Sequence, residues 1–194
     1  MQTPTPQQLM QQFAQKVART RAYRYTWEFQ ERDNQTGKLG AKQIYMLEFL
    51  QPHYRKMTIV QRDAFSNGAV LTHNPDLDTK VHARKGFIRR VYERNDPEVA
   101  RFFETDLGYI LKDLQRLFRG AKAEPVKSVQ QGQRNGYQLV FAPPKDPVQR
   151  VSLTLERADL MPLRIEYADA KGTRSLRVYT EYAFPNLTKD DFTI

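Results

Sequence analysis

The stretch Tyr23-Arg24-Tyr25-Thr26-Trp27-Glu28-Phe29-Gln30 decides how the rest of the chain is read. Four aromatic residues alternate with four polar ones. A pleated strand points successive side chains to opposite faces, so one face is bulky and apolar and the other meets water. Working outward, residues 43–50 follow a turn-rich connection holding Asp33, Asn34, Gly37 and Gly40. Tyr45, Leu47 and Phe49 share one face of that segment, and Ile44, Met46 and Leu50 share the other. A strand apolar on both faces is covered on both. Pro52 breaks it, and residues 54–61 make the next strand, with Arg55, Met57 and Ile59 on one face. Ser66-Asn67-Gly68 and Asn74-Pro75-Asp76 punctuate two shorter strands near 69–73 and 79–84. Strands roughly ten residues apart with hairpin-like breaks predict an antiparallel meander.

The middle of the chain changes period. Leu107, Ile110, Leu111, Leu114, Leu117 and Phe118 fall on one stripe, so residues 106–119 are predicted helical, with Asp106 as N-cap and Gly120 as stop. Leu9, Phe13 and Val17 predict an amphipathic helix over 7–20. Asp96-Pro97 reads as a cap followed by a helix-starting proline. Residues 1–7, with Pro4 and Pro6, are expected to be disordered. Five further strands are predicted at 126–131, 137–141, 150–156, 163–167 and 174–182, with hairpin turns at Asn135-Gly136 and Lys171-Gly172. No repeat or long linker divides the chain. The expectation is a single domain over 1–194, α+β and mostly antiparallel β, with roughly ten strands and two or three helices.

Composition limits the function. The 194 residues are 40% hydrophobic and 27% charged, enough for one sizeable core. No uncharged apolar run approaches the roughly 18 residues of a spanning helix, and the Gln- and Pro-rich start lacks the pattern of a signal peptide. The absence of cysteine excludes disulfides, thiol catalysis and Cys-ligated metals. The net charge of +9 points to an anionic partner. Within 80–94, Lys80, Arg84, Lys85, Arg89, Arg90 and Arg94 face only Glu93, and six minus one gives +5. That segment reads either as a solvated basic loop or as a docking patch of Arg84, Lys85, Arg89 and Arg90.

No catalytic signature accompanies these features. His53, His73 and His82 lack metal-site spacing, and His73, Asp76 and Asp78 crowd a turn that Asn and Asp backbone bonding already explains. There is no phosphate loop and no Gly-x-Ser-x-Gly elbow, and Glu48, Glu104 and Asp106 show no pairing. The expectation is a protein without enzymatic activity, cofactor or metal. The aromatic face of 23–29 is either packed core or a cavity wall.

Three segments together resemble the LolA family of periplasmic lipoprotein carriers. Ile44 through Leu50, Gln51-Pro52-His53, and Tyr54 through Met57 resemble its strand, proline turn, strand unit. Asn67-Gly68-Ala69-Val70-Leu71-Thr72-His73-Asn74-Pro75 is similar to its hairpin, and Pro162 through Gly172 to Phe192 to its closing strand pair and final Asp-Phe. The resemblance implies an incomplete, half-open antiparallel barrel around helices. It also implies a hollow apolar face that takes up acyl chains, with helices as a lid, in the periplasm. On that analogy the cavity is lined by Tyr25, Trp27, Phe29, Ile44, Met46, Met57 and Ile59, with Leu111, Leu114 and Phe118 in the cover. The arginine that precedes the turn proline in the archetype, and helps latch its lid, is Gln51 here. Expected partners are lipid or lipoprotein acyl chains, a membrane surface and an envelope protein, with no nucleic acid, for a monomer. Two competing readings share the fold: a basic module for an anionic partner, and an envelope stress sensor.

Overall fold

The computed structural model describes residues 3–194. Twelve strands form one sheet, in the order β6-β5-β4-β3-β2-β1-β12-β11-β10-β9-β7, with β8 paired to β9 beside this path. The sheet does not close, since β6 and β7 end it, and three α-helices accompany it. The class is α+β and open, with antiparallel pairing along the ladder. Two compact units divide the chain.

The meander unit comprises residues 20–28, 42–110 and 180–194. It contains most of β1 (Ala22–Glu31), then β2 (Gln43–Leu50), β3 (Tyr54–Gln61), β4 (Val70–His73), β5 (Val81–Lys85) and β6 (Ile88–Tyr92). The alternation of β1 is realised side chain by side chain: Tyr23, Tyr25 and Trp27 are buried, and Arg24, Thr26 and Glu28 are not. Rings stack along the inner face, Tyr23 on Phe49 with centroids 4.9 Å apart and Trp27 on Tyr45 at 4.8 Å. On the outer face the buried Glu48 carboxylate accepts from Arg24 Nε at 2.9 Å and lies 3.2 Å from Lys56 Nζ, its cross-strand partner.

The polar ends of the inner tyrosines reach the segment that starts a helix. Tyr25 Oη donates to the Thr105 carbonyl, and Tyr23 Oη accepts from Leu107 N at 2.8 Å. Asp106 is the predicted cap of α3 (Leu107–Phe118): its Oδ1 accepts from Tyr109 N at 2.9 Å. Its Oδ2 accepts from Arg55 Nη2 at 2.6 Å, with both side chains more than nine-tenths buried. A Cβ on Gly108 would lie 3.0 Å from Asp106 Oδ1, an oxygen already held by Tyr109 N, so a larger residue would press on the cap. The chain end closes on β3, where Phe192 packs against Tyr54 at 5.8 Å and Asp191 caps the short 3-10 turn Lys189–Phe192 through Thr188 N at 2.7 Å.

The other unit comprises residues 3–19, 29–41 and 111–179. It holds α1 (Pro6–Arg19), most of α3, β7 (Lys122–Ala123), β8 (Lys127–Gln131), β9 (Arg134–Ala142), β10 (Arg150–Glu156), β11 (Pro162–Asp169) and most of β12 (Gly172–Ala183). Its core is a cross-strand row in which Leu139 faces Leu153 and Leu153 faces Ile165, all fully buried. Gly136 permits the close approach of β10: a Cβ there would meet the Leu155 carbonyl oxygen at 2.9 Å. Arg32 holds β11 and β12 together, its Nη1 2.9 Å from both Asp169 carboxylate oxygens and its Nε 3.1 Å from the Thr173 carbonyl.

Four expectations change. Residues 6 and 7 are helical, because Thr5 caps α1 reciprocally with Gln8 and Pro6 takes the first helical position; residues 1 and 2 lie outside the described residues. Asp96-Pro97 starts no long helix. Asp96 Oδ1 accepts from Glu98 N at 2.9 Å in a local turn, and only the four residues of α2 (Ala100–Phe103) follow. The basic segment 80–94 is mostly a hairpin, β5 and β6 about Gly86 at φ +57°. The turn expected at Asn135-Gly136 falls instead at Gly132-Gln133, where Gly132 takes φ +60°, and Asn135 and Gly136 pair within β9; β6 and the two-residue β7, which carry no alternation to betray them, bring the strands to twelve.

Asp106→Ala removes a cap and strands a buried guanidinium. It is expected to destabilise the protein by about 3–5 kcal/mol in urea denaturation. Asp106→Asn, which keeps the capping acceptor, should recover about 1 kcal/mol of that loss.

Candidate functional site

A cavity of about 490 Å³ lies within the meander unit, between the inner face of β2–β5 and the turn around α2. The ladder explains its walls. Leu47 faces Met57, Met57 faces Leu71, Leu71 faces Ala83, and Ala83 faces Arg90. Along this one row the side chains run from fully buried leucine, through a small alanine, to an exposed arginine. The cover is short. α2 is four residues long and presents Val99 and Phe102, both buried, against a face several strands wide. Two side chains do not fill that face, and the remainder is the cavity, floored by Tyr45, Met57, Ile59 and Leu71.

The mouth is basic. Arg62, Arg84, Lys85, Arg90 and Arg101 border the cavity, with Phe65 and Ile88 among them. Lys85 Nζ donates to the carbonyls of Ala64 at 3.1 Å and Phe65 at 2.6 Å, which ties the β5–β6 tip to the β3–β4 connection. The Tyr92 side chain and the charge of Glu98, which also lines the cavity, raise the Arg90 guanidinium above its ordinary value. Glu93, the one acid of the segment, pairs with Lys80 at 3.1 Å. Arg94 lies 5.1 Å above the Phe103 ring, whose centroid is also 5.4 Å from the Arg55 guanidinium.

Of the sequence-predicted lining residues, Met57 and Ile59 line this cavity, and Arg84, Lys85 and Arg90 border its mouth. Arg89 is exposed on β6 outside it. Trp27 lies beneath it, stacked on the lining residue Tyr45, and Tyr25 is held by Thr105. Ile44 and Met46 are half-exposed on the other face of β2. Phe29, Leu111, Leu114 and Phe118 belong to the other unit, where Phe29 lies 5.9 Å beneath the Arg177 guanidinium and Phe118 meets Phe141 edge-on at 5.1 Å. Tyr45, Leu71, Ala83 and Phe102 were not read from the sequence as lining. A signal existed for the first: in the hairpin about Pro52 paired residue numbers sum to a constant, which sets Tyr45 opposite Ile59.

The polar cluster at the β4–β5 turn is occupied by protein partners. His73 Nδ1 lies 2.9 Å from the Lys80 carbonyl, His82 Nε2 lies 2.9 Å from Asp78, and Asp76 pairs with Lys189. Among the described residues no group of three or more His, Cys, Asp or Glu side chains is placed to hold a metal ion. No helix among the described residues is long and apolar enough to cross a membrane.

No protein-family model and no curated protein matches the sequence. Solved structures do. An uncharacterised conserved protein from Thermus thermophilus aligns over 96% of this chain and 91% of its own, at 11% identity and a TM-score of 0.57. The Mycobacterium tuberculosis lipoprotein LppX aligns over 94% and 99%, at 7% identity and a TM-score of 0.54. The chain shares the fold of these two structures. A structure of MucB aligns over 95% of this chain at 12% identity and a TM-score of 0.52, and the chain spans 62% of it.

Burial pushes the His73 imidazole below its ordinary value of 6.5, against the pull of the Lys80 carbonyl and with help from the Arg55 and Arg94 charges. The folded protein therefore holds His73 neutral where the unfolded chain takes up a proton. This histidine leaves stability unaffected above pH 6.5 and lowers it as the pH falls below that value. His73→Gln should flatten that part of a urea-midpoint profile measured on both sides of pH 6.5.

Proposed function

We propose that this protein is a non-enzymatic carrier of the cell envelope that holds an acyl chain of a lipid or lipoprotein in the cavity of the meander unit and works in the periplasm as a monomer. The observation that carries the reading is the unfilled apolar space above Tyr45, Met57, Ile59 and Leu71. Its volume lies in the usual range of small-ligand sites, roughly 300–1,000 Å³. Burial of each methylene contributes about 0.8 kcal/mol, so a sixteen-carbon tail gains on the order of 12 kcal/mol on leaving water. Water does not keep such a tail as a free monomer, and a soluble shuttle must enclose it. Aromatic and thioether walls offer area without rigid shape selection, which suits release as well as uptake. The resemblance of three sequence segments to the LolA family of lipoprotein carriers supports the same reading.

A protein partner in the envelope is the second reading. The Pseudomonas aeruginosa MucB structure, with a TM-score of 0.50, is of a complex with MucA. The end strand β6 offers an open row of backbone groups for such a partner.

Ala83→Phe tests the carrier reading, because it extends an aromatic ring into the cavity from a half-buried position. Affinity for a fluorescent fatty acid should fall by at least about tenfold, with thermal stability unchanged or raised. Undiminished fatty-acid binding by this variant, or a lipid-free wild-type protein that ignores fatty acid, overturns it.

A further inference from the structure

The two loops at the cavity mouth end in aromatic rings that the protein leaves in water. Phe65, in the β3–β4 connection, is 91% exposed, and Phe87, at the β5–β6 tip, is 96% exposed. Isolated exposed apolar side chains are ordinary, but these two stand on loops joined by Lys85, whose ammonium holds the Phe65 carbonyl. Ile88 is also mostly exposed beside them. The surrounding charge is mostly positive. Arg62, Arg84, Lys85, Arg89 and Arg90 lie on or next to these loops, against Asp63, which pairs with Arg62 at 3.6 Å, and Glu98 at the cavity wall, while Glu93 is taken by Lys80. Arg89 makes no ion pair among the described residues.

The geometry points to a membrane-docking foot: the paired tips insert Phe65 and Phe87 into the interface of an anionic phospholipid bilayer, while the arginine and lysine collar binds its headgroups. This deepens the carrier reading, on which it rests for its purpose, because the same tips border the cavity and docking would set the mouth against the leaflet. The charge complementarity selects the occupant. A basic collar around projecting aromatic rings fits a surface that is negative at the headgroups and apolar just beneath them. An acidic protein would engage the cations but leave two projecting rings without a matching pocket.

The full-length protein is mixed with vesicles of phosphatidylcholine alone, or of phosphatidylcholine with phosphatidylglycerol, and sedimented. Binding is expected only with phosphatidylglycerol, and it should weaken as salt is raised. Phe87→Ser should weaken partitioning by about tenfold and Arg89→Glu by at least about fivefold. Neither side chain lines the cavity, so fluorescent fatty-acid affinity in solution should stay unchanged in both. In a Phe87→Trp variant, emission should shift to shorter wavelength on adding phosphatidylglycerol vesicles and become shielded from a soluble quencher. Equal binding to neutral vesicles, binding that Phe87→Ser leaves intact, or no emission shift overturns the foot. So does equally tight binding of poly-glutamate that ignores Phe87→Ser, which assigns the surface to an acidic protein. Fatty-acid uptake reads the cavity and vesicle partitioning reads the tips, so the two proposals fail separately.

Discussion

One carboxylate organises the meander unit. Asp106 uses one oxygen to cap α3 and the other to neutralise Arg55, which β3 sends into the interior. Neither group tolerates the other's absence, because a buried charge without a partner costs several kcal/mol. The tyrosine hydroxyls of β1 take up the neighbouring backbone groups at Thr105 and Leu107. A polar knot of this kind has directional requirements that apolar packing lacks. It fixes where the helix begins against the sheet, and therefore how short a segment, α2, is left to cover β2–β5.

The cavity then follows from a shortage of side chains. The inner faces of β2 to β5 are continuous, but their covering segment is a single turn that contributes Val99 and Phe102. Ala83 falls where a larger residue would have completed the packing. Close packing is the rule for protein interiors, so a space of this size bordered by loops is a property of the arrangement and not of any one residue.

Much of this architecture was legible in the residues. The alternation at 23–29, the helical stripe of 107–118 and the turns at Asn67-Gly68 and Lys171-Gly172 each carry a local signal that the structure follows, whereas Asn135-Gly136 lies inside β9 and the turn falls at Gly132-Gln133. The cap at Asp106 was readable too, but its bond to Arg55 was not, because the two are far apart in sequence and no local pattern links them. The site was less legible for a related reason. Period-2 alternation shows that Tyr45 and Ile44 point opposite ways, not which face is hollow. Met57 and Ile59 were placed with Ile44 and Met46, whereas the ladder pairs Ile59 with Tyr45 and Met57 with Leu47. Strand β5 was read at 79–84, but β6 escaped because Arg89 and Arg90 interrupt its apolar residues, and charge masks a strand read by hydrophobicity.

Strand β6 lies at an end of the sheet and leaves Ile88 and Val91 exposed, which by itself would invite another copy to extend the ladder. Its sequence interposes Arg89 and Arg90. In an antiparallel self-pairing those guanidinium groups would be brought close to their own counterparts, where like charges repel. The residues that give this rim its positive field therefore also guard the protein against fibre-like stacking, so its solubility and its surface chemistry are tied to the same two side chains.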